Sequence, residues 1–117
     1  MRSDGSVEES MAEYRRAAET YRAEGDPRGE AHAIRHVGDI LSTIERLDDA
    51  DACYLDALAL YERHGGDDLD VANALRGYAV LRDQQGLPSS ALWRRALTLY
   101  EAAGVPAGIE ECRKHVG

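Results

Sequence analysis

His32 and His36 stand four residues apart, a spacing that sets two imidazoles on one face of a helix. Two neutral imidazoles so placed could clasp a transition metal. No carboxylate lies between them in the manner of a zinc protease, and a third ligand would have to come from elsewhere, Asp39 being the nearest. Paired carboxylates occur at Glu8/Glu9, Asp48/Asp49, Asp67/Asp68 and Glu110/Glu111. Such pairs can divide acid and base roles. These are read at helix starts or exposed turns, where the helix dipole and solvation account for them. Cys53 and Cys112 form no Cys-x2-Cys pair and no metal-ligand spacing, so they read as two small buried thiols. There is no P-loop, no glycine-rich dinucleotide turn and no nucleophile motif. The expectation is no enzyme: no catalytic residue, no cofactor and no bound metal.

Composition narrows the class further. A chain of 117 residues has the length of one domain. With 44% apolar residues and no Phe, the core must be built from Ala, Leu, Ile, Val and Tyr, a set suited to closely packed helices. A net charge of −8 argues against nucleic acid or an anionic membrane as partner. No apolar run approaches the roughly 18–20 residues of a membrane span. The polar start, Met1 to Ser6, lacks the apolar stretch of a secretory signal, which leaves the cytoplasm as the expected location. The single Lys among the basic residues, Lys114, reads as the mark of a GC-rich, bacterial coding sequence.

Apolar residues recur with helical period in six segments and alternate nowhere over a strand length. The first helix is expected from Ser6 to Glu24, with Ser6 and Glu9 as a capping box. Gly25 ends it, and Asp26-Pro27 starts the second, which runs to about Glu45. The third spans about Asp48 to His64 and the fourth about Asp68 to Gln85. Ser89 or Ser90 caps the fifth, which runs to Ala103. A short sixth follows Gly104-Val105-Pro106, with Ile109, Cys112 and Val116 on a thin apolar edge.

The strongest pattern is a repeat. Tyr14-x2-Ala17-x3-Tyr21-x3-Gly25 returns as Tyr54-x2-Ala57-x3-Tyr61-x3-Gly65 and again as Trp93-x2-Ala96-x3-Tyr100-x3-Gly104. A fixed period of about 40 residues signals a stacked helical repeat. The central unit resembles a tetratricopeptide repeat. Ile34-x2-Val37-Gly38-x2-Leu41 matches the first helix of that family, and Ala50-x3-Tyr54 followed by Ala57 matches the second. The linker Gly25-Asp-Pro-Arg-Gly-Glu-Ala31 is similar to those of the longer repeats in kinesin light chains and bacterial regulators. Residues 6–24 resemble a lone second helix, 27–64 a full repeat, 68–103 a full repeat and 106–116 a capping helix. In the third copy, Leu75, Tyr78 and Ala79 stand in the first helix and Trp93 and Ala96 in the second. Arg82 takes an apolar slot there, and the following turn reads as one residue short. The resemblance implies an all-α, right-handed superhelical stack of antiparallel helix pairs, in one domain.

It also implies a function. In this family the first helices line a concave groove that holds a peptide or a protein partner. On the second segment the groove stripe would be His32, Arg35, His36, Asp39 and Thr43. On the fourth it would be Asn73, Arg76, Val80, Asp83 and Gln84. Helical spacing independently sets each group opposite its core face. Arg35 and Arg76 could fork onto a peptide carboxylate and Asn73 onto a peptide backbone. Alternatively the stripe is a solvated face with local ion pairs such as Arg35–Asp39. The expected role is protein–protein interaction without chemistry. A homodimer formed through the end helices, a structural or scaffold role, is the second reading.

Overall fold

Short polar turns chop the chain into helices, and each helix end has a visible cause. The computed structural model describes residues 3–116, and all regular structure among them is α-helical. The helices are α1 (Ser3–Ala23), α2 (Pro27–Thr43), α3 (Leu47–His64), α4 (Asp68–Gln85), α5 (Ser90–Ala103) and α6 (Pro106–Val116). Asp26 caps α2 by accepting from the Gly29 N–H at 3.0 Å, and Asp67 caps α4 through Asp70 at 2.8 Å. Pro27 and Pro106 each open a helix where no N–H partner is needed. The Ser6/Glu9 capping box is not formed. Helix α1 already runs from Ser3, so Ser6 lies inside it. No proline or apolar break precedes Ser6, and the helix propagates through it.

Four helices end in the same way. Gly25, Gly86 and Gly104 adopt positive φ, and the next residue's N–H reaches back to Tyr21, Arg82 and Tyr100. That is the Schellman closure. Helix α2 ends identically, with Arg46 N–H on Leu41 O at 2.8 Å, but its left-handed residue is Glu45, φ 64°. A side chain there costs roughly 1–2 kcal/mol, and glycine's extra freedom when unfolded returns about half of it. Glu45→Gly is expected to stabilise the chain by about 0.5–1 kcal/mol. A thermal midpoint equal to or below that of the parent chain would show that Glu45 makes compensating contacts.

The contacts divide the chain into two units, separated between Gly65 and Gly66. In each unit the helices pack on their neighbours in sequence, as in a helical-repeat stack. In the first, α2 lies between α1 and α3. Met11, Ala31, Val37, Leu41, Ala50, Tyr54, Ala57 and Tyr61 are buried, while Ile34 is only half-buried. At Gly38 α3 comes close: a methyl group there would lie 3.2 Å from Cys53 Cβ and 3.3 Å from the Tyr54 ring. Glu30, almost fully buried, is held by Arg22 at 3.2 Å across the α1–α2 turn. In the second unit α5 lies between α4 and α6. Its core is Ala72, Ala74, Leu75, Tyr78, Ala79, Leu81, Trp93, Ala96, Tyr100 and Cys112.

Two registers emerge that the repeat pattern had blurred. Helix α4 follows α2 with a constant offset of 41, from cap (Asp26, Asp67) to left-handed end (Glu45, Gly86). The turn after α4, residues 86–89, is not short but one residue longer than residues 44–46 after α2. The shortening falls in α5 itself, which starts at Ser90, close before Trp93, whereas α3 starts two turns before Tyr54. Arg82, in its apolar slot, lays its guanidinium 5.6 Å from the Tyr78 ring centre and donates to Pro88 O at 3.3 Å. The second register joins α6 to α2. Tyr21, Gly25, Pro27 and Gly29 recur as Tyr100, Gly104, Pro106 and Gly108. Gly29 lies against the Tyr21 ring and Gly108 against the Tyr100 ring, each too close for a methyl group. Helix α6 therefore begins as a repeat's first helix does. It carries Glu110 and Arg113 where α2 has Ala31 and Ile34.

Candidate partner-binding site

The stripe of α2 is tied together and tied to its neighbours. Arg35 pairs with Asp39 at 2.9 Å, the local i,i+4 pair, and its side chain is only 12% exposed. The Tyr54 hydroxyl of α3 donates to the other oxygen of Asp39. Arg35 Nη2, which can only donate, lies 3.3 Å from His36 Nε2, a contact made with the tautomer that carries the ring proton on Nδ1. His32 Nε2 lies 3.1 Å from the same atom. On its other side His36 stacks on Tyr14 of α1, ring centres 4.7 Å apart and nearly parallel. Thr43 is exposed and bonds back to Asp39 O.

Burial, then the positive neighbours Arg35 and His32, hold the His36 pKa below the usual histidine value, with Asp39 opposing. A folded pKa below the unfolded one means that the unfolded chain binds the proton more readily. The stability from neutral His36 is therefore present above the unfolded pKa of about 6.5 and lost as pH falls toward the folded value. The melting temperature should drop over that window. His36→Phe, which keeps a ring on Tyr14 without the proton, should flatten the drop. Parallel curves for the two proteins would remove His36 as the cause.

The stripe of α4 is engaged as well. Asn73 accepts from the Tyr100 hydroxyl at 2.6 Å, and Arg76 Nε donates to Glu111 of α6 at 2.7 Å. Asp83 accepts from the Ser89 hydroxyl at 2.5 Å and from Trp93 Nε1 at 3.2 Å, with His115 Nδ1 3.8 Å away. Val80 is half-buried and Gln84 exposed. Arg35 and Arg76, expected to fork onto a peptide carboxylate, thus each hold a carboxylate of this chain. The first is taken by the residue one helical turn on, the second by α6 coming down on α4.

Among the described residues no group of three or more His, Cys, Asp or Glu side chains is gathered as a metal would require. Cys112 is buried as expected, but Cys53 is only half-buried. Burial raises the pKa of both, which keeps the thiols protonated. Asp48/Asp49 and Asp67/Asp68 do sit at helix starts, but Glu8/Glu9 and Glu110/Glu111 lie within helices, and Glu111 is the partner of Arg76.

The first unit has an accessible cleft of about 360 Å³ between α1 and α2. It is walled by Val7, Ser10 and Tyr14 on one side and His36, Asp39 and Ile40 on the other. The sequence reading reached His36 and Asp39 but missed the α1 wall. A signal for it existed: Tyr14 precedes His36 by the same 22 residues that separate Trp93 from His115. No family model matches this chain and no curated protein does. None of its described helices is long and apolar enough to cross a membrane.

Proposed function

We propose that this chain is a tetratricopeptide-like interaction module without chemistry of its own, and that it docks a protein partner in the α1–α2 cleft. The observation that carries the reading is the cleft's make-up. Apolar Val7, Tyr14, Ile40 and Ile44 line it together with fixed polar groups, Asp39 and His36. Apolar walls with a few oriented polar groups are what a docking pocket needs for affinity and for register. Arg35 and Tyr54 hold Asp39, and Tyr14 holds His36, so little order is lost on binding.

Panning a displayed library of random peptides against the full chain tests this. Enriched peptides should bind Ile40→Glu at least tenfold more weakly, while that variant keeps the parent helicity. Peptides that bind both proteins equally would move docking away from this cleft.

A further inference from the structure

The two units contain the same stacked pair. Trp93 of α5 lies on His115 of α6, ring centres 3.8 Å apart and 7° from parallel, and Tyr14 of α1 lies on His36 of α2 in the same way. The offset between the pairs is that which relates α6 to α2. In the second unit the pair has a third member. Helix α4 runs antiparallel to α5 and brings Asp83 to the Trp93 N–H and towards His115, while Arg76 reaches Glu111. Trp93 is then 1% exposed. Tyr14 is only half-buried, and α1 packs on α2 with no such preceding helix among the described residues.

Two contacts within this chain show what such a helix would bring. In each unit the aromatic at this slot donates to an aspartate of the helix before it, at different positions along that helix: Tyr54 to Asp39 of α2, Trp93 to Asp83 of α4. Tyr14 is the third residue of that slot. Beside it stands His36, whose counterpart His115 turns Nδ1 to Asp83.

We propose that the cleft between α1 and α2 is a seat for an amphipathic helix of a protein partner, docked antiparallel to α1, with a carboxylate on the Tyr14 hydroxyl. This rests on the docking function above and adds the shape and charge of the occupant. A helix laid by its apolar face into a groove is a general recognition mode. Here Val7 and Ile40 would take the apolar side chains and Tyr14 would fix the register.

The test uses the full chain and a fluorescein-labelled synthetic peptide of residues 66–87, the stretch that already performs this docking on Trp93. Fluorescence anisotropy should show saturable binding. Binding should weaken at least tenfold with Asp83→Ala in the peptide or with Tyr14→Phe in the chain, which keeps the ring stack and removes the hydroxyl. Ile40→Glu should abolish it. No saturable binding, or binding insensitive to Tyr14→Phe and Ile40→Glu, overturns the seat. If random displayed peptides bind in an Ile40-dependent way while this helix does not, the docking function stands and the helical occupant falls. A dimer in light scattering that Ile40→Glu dissociates would put a second copy in the cleft and likewise overturn the proposal.

Discussion

Trp93→Ala is expected to destabilise the second unit by about 3–5 kcal/mol, the range for deleting a buried aromatic. Trp93 is 1% exposed, and three helices meet on it. Its ring carries His115 of α6 at 3.8 Å and its N–H binds Asp83 of α4 at 3.2 Å. Alanine removes the stack, leaves Asp83 with one donor fewer and opens a cavity that α5 alone cannot close. Against a typical stability of about 5–15 kcal/mol, that is a large share of the margin. Trp93→Phe separates the contributions, because it keeps a ring under His115 and loses only the N–H. Its cost should be nearer to that of one hydrogen bond to a charged acceptor, about 1.5–3 kcal/mol. Urea unfolding followed by circular dichroism, with hydrogen exchange over residues 66–116, would measure both. If the alanine variant melts within a degree or two of the parent chain, the described packing of α6 is wrong.

Gly38→Leu should cost the first unit about 2–3 kcal/mol, the upper part of the range for overpacking. Gly38 is buried where α2 lies close against α3. A Cβ would meet Cys53 Cβ at 3.2 Å and the Tyr54 ring at 3.3 Å, and both belong to a packed helix. Leucine adds three further carbons beyond that contact. Displacing Tyr54 would also pull its hydroxyl from Asp39. Gly38→Ala is the informative control. Its gain in helix propensity, about 1 kcal/mol, opposes a squeeze of a few tenths of an ångström, so it should lie near neutral. A leucine variant with unchanged melting would refute the register that places Gly38 under Tyr54.

These two residues show what could be read from the chain alone. Gly38 and Trp93 were both legible, because the small and large slots of a helix pair repeat at fixed spacing and the packing that demands them is local. The helix ends at Gly25, Gly86 and Gly104 were legible for the same reason: glycine marks a left-handed backbone. Glu45 was not, since nothing in glutamate announces positive φ. The polar stripe could be read as a set of side chains on one helix face, yet its partners were hidden. Glu111 is 35 residues from Arg76, and Tyr100 is 27 from Asn73. Pairings of that kind depend on how helices dock, and periodicity does not encode them. The start of α1 was misread because serine and glutamate serve a helix interior on a polar face as readily as they serve a cap.

Because the most extensive packing among the described residues joins helices adjacent in sequence, the chain needs to close mainly short loops to reach its native contacts. The entropy of bringing the ends together is small at each step, and no distant segment must be found first. Topologies this local fold in microseconds to milliseconds. A single fast phase in stopped-flow or temperature-jump refolding is the expected signature. Any phase of seconds would have to come from isomerisation at Pro27, Pro88 or Pro106 in the unfolded chain rather than from assembly of the helices.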